Sequence, residues 1–381
     1  MPKIREVAVL DIGSRSISAI CGRQGINRII NIKGKGEALY SGFSDGKFFE
    51  QDKLKGIIER AIRECEDSIK SRIRKIYVGI PGEFCTTVTK EVFISFKSRR
   101  KVTDIDVEEL YATGEVSSDD FVLINRTPVY YTLDDNNRTL RPVGCSSSKL
   151  AGLLSYSYAE KKLIETIGGI LDGLGIKAQY ICSPLAEALI LSEEREKKAL
   201  FADVGYLTTS VALAEGEGLL FLKSFSCGGA YISADLMDYF KISFPLSEKL
   251  KEQVKLRLEA SDEDKYKVVL GDESCDVPMK ETIEVATARI EGIARTIQKC
   301  IKESQVKLPD YLPLLLTGGG ISYMRGAADI LSRVLDRNVE VVAPRLPQMD
   351  KPHLSSSVGL LRFALNLAEK EKGGFWSKLF K

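Results

Sequence analysis

The sequence predicts a two-lobed α/β protein with an inserted α+β unit and a C-terminal amphipathic helix. Two apolar strands each run into a turn with an aspartate and, two residues later, a glycine, at residues 11–13 and 203–205, and a further strand follows each turn. A third apolar strand runs into the triple glycine at 318–320, ahead of an amphipathic helix. Since the first two units superimpose with aspartate and glycine in register, we expect two related halves.

Length and composition fit a folded globular protein with more than one core. The chain has 381 residues, 44% hydrophobic and 28% charged, and its formal net charge of +2 gives no polyelectrolyte signal for nucleic acid. No apolar run is long enough to span a bilayer. The single histidine, His353, excludes a histidine-rich metal site and is expected in a loop. The eight cysteines stand singly and are expected to be reduced, mostly buried thiols: Cys21, Cys65, Cys85, Cys145, Cys182, Cys227, Cys275 and Cys300.

In the first half of the chain, the opening strands pair as a hairpin. Apolar residues at helical spacing predict a helix over 53–70, and KIYVGIP predicts the strand that follows. From there the pattern changes to alternating strands, with Thr103 and Asp106 in capping-box spacing before a short helix. We therefore predict an inserted α+β unit over residues 82–165.

In the second half, EKKLIETIGGILDGLGI predicts a helix, and a strand and a helix with Pro184 in its first turn follow. Residues 199–226 repeat the strand, aspartate-glycine turn and strand found at the start of the chain. SSSVGLLRFALNLAEKEK predicts a final helix that its serines cap. The core of lobe 1 is predicted to contain residues 1–81, 166–198 and 352–370, with the insertion at 82–165. The core of lobe 2 is predicted to contain residues 199–230 and 305–351, with a helical subdomain at 231–304. Residues 371–381 are predicted to form a membrane-targeting tail.

The three glycine-containing turns carry the predicted chemistry. A glycine lets backbone N–H groups approach a phosphate, a neighbouring hydroxyl adds a donor, and an aspartate can hold a hydrated Mg²⁺. The triple glycine exposes backbone to a flat ligand, and the N-terminus of the helix after it favours negative charge. The turn at 318–320 does not fit the dinucleotide fingerprint, and the chain has no P-loop motif. The ordered set of three turns is far more specific than any one of them.

That set resembles the actin, Hsp70 and sugar-kinase superfamily and, at finer grain, the bacterial cell-division family FtsA. VAVLDIGSRSI and LFADVGYLTTSVAL resemble its two phosphate loops, SFSCGGAYISADL its Gly-Gly element, and LLLTGGGISYMRGAADIL its adenosine motif. PGEF followed by KVTDIDVEEL lies where the family inserts its small domain. The similarity covers almost the whole chain and implies an actin/Hsp70-like ATPase fold.

The resemblance implies that ATP and Mg²⁺ are bound between the two lobes. The residues expected to meet the phosphates and metal are Asp11, Gly13, Ser14, Arg15, Asp203, Gly205, Thr208, Gly228 and Gly229. The adenosine is expected to lie against Gly318, Gly319 and Gly320, and the metal would be held through Asp11 and Asp203.

The chain departs from the family pattern at several of these positions. Tyr206 and Leu207 stand where the second loop commonly has glycines, and Ser210 stands where it has an aspartate. Ser183 replaces the acidic residue that the superfamily's ATPases often carry before a proline, and Glu187 lies one turn further on. Without a carboxylate to orient water, we expect ATP binding with slow or absent hydrolysis, and we assign no catalytic residue.

The segment GGFWSKLFK, residues 373–381, separates into two faces when it is drawn as a helix. The apolar face carries Phe375, Trp376, Leu379 and Phe380, and the opposite face carries Ser377, Lys378 and Lys381. Burying four apolar side chains contributes about 6–12 kcal/mol, which the ordering of seven residues at roughly 1–2 kcal/mol each nearly cancels. The lysines add about 1 kcal/mol each near anionic lipid. One tail is then a marginal anchor, whereas a polymer of tails binds strongly; the alternative is a helix that packs on its own body.

The resemblance implies an ATP-binding filament protein that tethers the FtsZ ring to the inner face of the cytoplasmic membrane at the division site. Residues 231–304 would bind FtsZ, and 82–165 would meet neighbouring subunits or later division proteins. Two alternatives remain open. A sugar or acetate-type kinase of the same fold would need a substrate-side acid and longer lobes. A PilM-like assembly scaffold shares the fold and insertion but needs no lipid-binding tail.

Overall fold

A computed structural model of the chain describes residues 6–25, 29–134, 136–192, 194 and 196–370. The tail at 371–381, with its six predicted membrane-binding residues, lies outside the described residues.

Eighteen strands and nine helices are formed by the described residues. The strands are β1 (Glu6–Ile12), β2 (Ser16–Gln24), β3 (Ile30–Leu39), β4 (Phe43–Ser44), β5 (Lys47–Phe48), β6 (Lys75–Ile80), β7 (Cys85–Lys101), β8 (Phe121–Thr132), β9 (Arg138–Thr139), β10 (Ser146–Glu160), β11 (Lys177–Cys182), β12 (Ala199–Val204), β13 (Thr209–Glu215), β14 (Gly218–Phe225), β15 (Lys265–Leu270), β16 (Glu273–Pro278), β17 (Leu314–Thr317) and β18 (Val339–Val341). The helices are α1 (Leu54–Ile69), α2 (Asp104–Gly114), α3 (Lys161–Gly173), α4 (Ser183–Leu191), α5 (Ala230–Phe240), α6 (Phe244–Gln253), α7 (Met279–Glu303), α8 (Ala327–Leu335) and α9 (Ser355–Lys370).

Two five-stranded sheets share one topology, which confirms the related halves. The first has the order β11-β6-β1-β2-β3 and the second, read from its other edge, β18-β17-β12-β13-β14. In each, three strands form an antiparallel meander and two more join in parallel beside the strand whose penultimate residue is an aspartate. The meander follows from tight turns, whereas the parallel strands need helical crossovers.

Helices α4 and α9 are buried between the two sheets. One apolar core contains residues of both helices together with residues from each sheet, such as Val9 and Phe201. A Cβ placed on Gly359 would lie 2.7 Å from the carbonyl oxygen of Ala186, so the two helices cross in close backbone contact. The outer face of the first sheet packs on α1 and α3, and the outer face of the second packs on α5 to α8.

Residues 85–160 of the insertion form a four-stranded sheet in the order β7-β10-β8-β9, with α2 against one face. The predicted capping box at the start of α2 is present, with Thr103 and Asp106 bonded reciprocally. Arg100 also donates two hydrogen bonds to Asp106, at 2.7 and 2.6 Å. These hydrogen bonds therefore fix the N-terminus of α2 to the end of β7.

Two details of the sequence prediction are wrong. Residues 231–304 are not all helical, because β15 and β16 form a hairpin between α6 and α7. The hairpin strands are short and half exposed, so their charged residues obscured the alternation of apolar and polar positions that predicts a strand. The triple glycine does not open a helix directly either, since α8 begins only at Ala327. Within the described residues no helix is long and apolar enough to cross a membrane.

Candidate functional site

The two aspartate-glycine turns have the same backbone geometry at the ends of β1 and β12. The Gly13 N–H donates to the Ser16 carbonyl at 3.0 Å, and the Gly205 N–H donates to the Thr208 carbonyl at 2.9 Å. Each closes the turn between two antiparallel strands in the same way. The two loops that the sequence singled out are thus equivalent in structure.

Asp11 is held at the first turn of α9. It is 8% exposed, and its carboxylate accepts hydrogen bonds from the hydroxyls of Ser356 at 2.7 Å and Ser357 at 2.5 Å. Burial raises the pKa of Asp11, although the two hydroxyls oppose this shift. From the other side, the Tyr40 hydroxyl donates to the Gly13 carbonyl at 2.8 Å. The serines that the sequence predicted as helix caps therefore also position the first aspartate.

The glycine loops of lobe 2 pack directly on one another. The Gly229 N–H donates to the Gly205 carbonyl at 2.9 Å, and the Gly320 N–H donates to the Val204 carbonyl at 2.7 Å. A Cβ on Gly229 would lie 2.3 Å from the Gly320 carbonyl oxygen, and one on Gly228 would lie 2.5 Å from the Gly205 carbonyl oxygen. These glycines are thus required for loop packing, and two of their N–H groups already have backbone acceptors.

The other two glycines of the triple are also in close contact. Gly318 has φ +89°, and a Cβ there would lie 2.0 Å from a carboxylate oxygen of Asp203. A Cβ on Gly319 would lie 2.9 Å from Cβ of His353, which sits in the short turn before α9. The structure therefore brings the predicted adenosine loop against the second aspartate.

The two lobes meet across the cleft at the two aspartate-glycine turns. The Leu207 N–H of lobe 2 donates to the Ser14 hydroxyl of lobe 1 at 3.0 Å. The Arg15 guanidinium lies 5.1 Å from the centre of the Tyr206 ring and 4.0 Å from a carboxylate oxygen of Glu248. The predicted loops are thus brought together, with Tyr206 between them where the family has a glycine.

Helix α6 supplies two functional candidates that sequence reasoning missed. The Lys251 ammonium, 4% exposed, donates to Glu248 at 2.7 Å and to the Gly229 carbonyl at 3.1 Å. Burial lowers the pKa of Lys251. Burial raises the pKa of Tyr206 to about 12, and the charge of Glu248 adds to this shift. On the sequence, LSEKLKEQ reads as an ordinary charged helix, and only the burial of a lysine distinguishes it.

Glu187 of α4 reaches the second aspartate. Glu187 is 2% exposed, and burial raises its pKa far above the usual range, with the charges of Asp203 and Asp11 adding to the shift. Burial also raises the pKa of Asp203. On the sequence Glu187 is only the carboxylate one turn after Ser183, and its burial beside Asp203 and Asp11 was not predicted.

Two other positions that the sequence analysis singled out lie in the sheet and in the second loop. Ser210 bonds to Ser224 at 2.9 Å, on a strand that pairs within the sheet. Thr208 contributes its carbonyl to the turn of the second loop. Hard oxygen donors from Asp11, Asp203 and Glu187 fit Mg²⁺ by type. No group of three His, Cys, Asp or Glu residues in the described part of the chain is arranged to hold a metal by itself.

Comparison with known proteins agrees with this geometry. The profile of the family described as Cell division protein FtsA matches residues 200–359. The FtsA of Enterococcus hirae is 24% identical over 371 residues, covering 94% of this chain and 83% of the relative. The FtsA of Streptococcus pneumoniae is 27% identical over 372 residues, covering 94% of this chain and 80% of the relative.

Solved structures share the fold. The PilM-PilN type IV pilus biogenesis complex aligns with a TM-score of 0.64 at 15% identity, over 94% of this chain and 98% of that one. MreB5 of Spiroplasma citri bound to AMPPNP aligns at 0.58 and 10% identity, over 98% and 100%. The MamK double helical filament aligns at 0.52 and 12% identity, over 96% and 99%. The chain has the predicted actin-like ATPase fold, and its sequence is similar to those of the FtsA cell-division proteins over 94% of its length.

Proposed function

We propose that the chain is an ATP-binding, actin-like cell-division protein that polymerises on the inner face of the cytoplasmic membrane, tethers the FtsZ ring and recruits later division proteins. The observation that carries the proposal is the direct contact between two equivalent aspartate-glycine turns. Relatedness to FtsA over 94% of the chain supplies the biological setting.

The nucleotide would lie between the lobes, with its phosphates toward Asp11, Ser14, Arg15 and the 203–208 loop. The adenosine would lie toward residues 318–320, and Lys251 and Glu248 would face the sugar and phosphates from α6. Support comes from the solved MreB5, a protein of this fold that was bound to AMPPNP. Mg²⁺ bound here would neutralise phosphate charge. At most weak ATPase activity is expected, because Ser183 stands at the position of the usual carboxylate.

The body would carry the protein contacts. We assign FtsZ binding to residues 231–304, and contacts with neighbouring subunits and later division proteins to the insertion at 82–165. The fold is shared with MamK, which was solved as a double helical filament. The division of the chain into lobe cores, insertion and subdomain stays as the sequence proposes it.

Residues 371–381 would attach the polymer to lipid. The proposal rests on the two faces of FWSKLFK, with four apolar side chains opposite two lysines. Because each tail is a marginal anchor, attachment would depend on assembly through effective concentration. Membrane binding and polymerisation would therefore be coupled, so that each strengthens the other.

Co-sedimentation with vesicles that contain anionic lipid tests this function. We would compare the full chain with a truncation after Lys372, each with and without Mg-ATP. Pelleting of the full chain that requires both tail and nucleotide is the expected result. Trp376→Glu on the apolar face should abolish pelleting, whereas Ser377→Glu on the polar face should weaken it far less. Equal pelleting of the truncated and full chains contradicts the proposed anchor.

A PilM-like scaffold is the second candidate, because the PilM-PilN complex aligns with this chain at a TM-score of 0.64. Such a protein would be placed by a partner and not by its own tail. Normal localisation of a 373–381 deletion in cells would favour the scaffold, and loss of localisation would favour the tether. A kinase of the same fold would instead turn over ATP in the presence of a small acceptor.

A further inference from the structure

The insertion is continuous with lobe 1 along the chain, but it also packs on lobe 2. Strand β6 of the first sheet leads into it, and α3 follows its last strand. Three of its strands, β7, β8 and β10, contact β14, which is the edge strand of the second sheet. The insertion therefore bridges the two lobes, in addition to the contacts between the aspartate-glycine turns.

The turn between β13 and β14 lies at the centre of this bridge. The Glu217 N–H of the turn donates to the Pro128 carbonyl of β8 at 2.8 Å. The Ser155 hydroxyl of β10 donates to the Leu219 carbonyl at 2.7 Å, and Ser155 is only 1% exposed. Two strands of the insertion thus hold the backbone of lobe 2 through hydrogen bonds that water does not reach.

The turn and the insertion are in close backbone contact. Gly216 has φ +66°, and a Cβ there would lie 2.0 Å from the Val129 carbonyl oxygen of β8. A Cβ on Gly218 would lie 2.8 Å from Cβ of Ser155. Both the conformation and the lack of space therefore require glycine at position 216.

The other end of the same hairpin lies at the cleft. Strand β13 begins at Thr209, directly after the second aspartate-glycine turn, and the Thr209 hydroxyl donates to the Cys227 carbonyl at 2.6 Å. All but the last of its 7 residues are buried, and it pairs with β12 on one side and β14 on the other. A strand of this length spans about 20 Å. One rigid sheet is thus attached to the cleft contacts and to the insertion at two well separated points, which resists rotation of lobe 2.

A further contact lies where the insertion begins. Glu83, two residues before β7, accepts a hydrogen bond from the Gly46 N–H of lobe 1 at 2.6 Å. Ser226, just after β14, accepts one from the Asp45 N–H of lobe 1 at 2.9 Å. Strand β14 is therefore held near both of its ends, by the insertion at one and by lobe 1 at the other.

We propose that the insertion is a clamp that holds lobe 2 against lobe 1, and that the turn at 215–219 must leave the insertion before the lobes separate. The inference goes beyond the proposed function, because it concerns the chain without any ligand. A partner that moved the insertion would thereby act on the cleft, although the two lie at opposite ends of β13.

Hydrogen exchange of the full chain without ligand, followed by mass spectrometry, tests the clamp. Gly216→Ala places a Cβ against the Val129 carbonyl and should release the turn. Local opening sets the exchange rate of a protected amide, so exchange should rise at least about tenfold far from the substitution. The peptides to follow are those with the amides of Leu207 and Asp45, which join the lobes.

Gly271→Ala is the matched control. Gly271 has φ +59° in the turn between β15 and β16, so alanine meets the same backbone strain, but a Cβ there has nothing within 4 Å. Exchange at Leu207 and Asp45 should stay within about twofold of the wild type, because no contact between the lobes is lost. If Gly216→Ala does not fold, Arg138→Glu replaces it, since Arg138 of β9 lies 3.1 Å from Glu215. Adding Glu215→Arg to that variant should then restore slow exchange.

The outcomes separate a clamp from a local packing contact. Faster exchange confined to residues 215–219 and β8, with none at Leu207 or Asp45, overturns the clamp. A uniform rise that matches a lower free energy of unfolding in urea overturns it too. Release of a fluorescent ADP analogue gives a second readout, and the clamp predicts faster release from Gly216→Ala. If the folded wild type binds no ADP analogue, the proposed function fails, whereas the exchange result still decides the clamp.

Discussion

Replacing Tyr206 with glycine should tighten nucleotide binding. The ring lies 5.1 Å from the Arg15 guanidinium across the cleft, and Arg15 must leave it to reach a phosphate. A cation–π contact at an exposed site contributes about 0.5–1 kcal/mol, and the Arg15 side chain is 58% exposed. Removing that competing contact should lower the dissociation constant about two- to fivefold.

Calorimetric titration of Mg-ATP into the full chain would measure this change. Tyr206→Phe is the matched control, because it keeps the ring beside Arg15 and removes only the hydroxyl. The phenylalanine variant should therefore bind within about twofold of the wild type. If the glycine variant binds more weakly than the wild type while its thermal unfolding is unchanged, Tyr206 assists the nucleotide and the reasoning fails.

Two further predictions concern stability. Gly229→Ala should destabilise the fold by about 1–3 kcal/mol, because its Cβ would lie 2.3 Å from a carbonyl oxygen of the facing loop. Gly292→Ala, where a Cβ meets nothing within 4 Å, should instead stabilise α7 by up to about 1 kcal/mol. Urea unfolding would measure the free energy of unfolding of both variants, and equal effects would contradict the loop packing. Hydrogen bonds from Arg100 hold the pKa of Asp106 well below its usual range, so their stabilisation is present above about pH 4, the unfolded value, and is lost as pH falls below it. Asp106→Asn should reduce the acid sensitivity of unfolding, and an identical pH profile for the variant would refute the assignment.

Local signals predicted most of the fold. The periodicity of 53–70, the proline at the start of α4 and the capping box at Thr103 each fix an element from residues that are close in sequence. The repeat of aspartate and glycine even predicted that the two sheets are related. Such features depend on backbone geometry and side-chain period, which a single segment already contains.

The chemistry of the cleft was less predictable, because it depends on contacts between distant segments. The serines that bond to Asp11 lie more than 340 residues away in the chain. Glu187 looked displaced on the sequence, yet α4 is buried between the two sheets, where the charges of Asp203 and Asp11 act on this side chain. Lys251 is buried where α6 meets the Gly228-Gly229 loop, and its ammonium donates to the Gly229 carbonyl. No short sequence pattern predicts these contacts between distant segments.

The duplication also shows why the two aspartates need not behave alike. Their strands and turns are equivalent, but Asp11 receives two hydroxyl hydrogen bonds from α9, which favour its charged form, whereas Asp203 faces the carboxyl group of Glu187. Because Ser14 and Leu207 already join the lobes, a ligand need not close a wide cleft. Its main effect would be on the charge around Asp203 and Glu187, since burial raises the pKa of both groups.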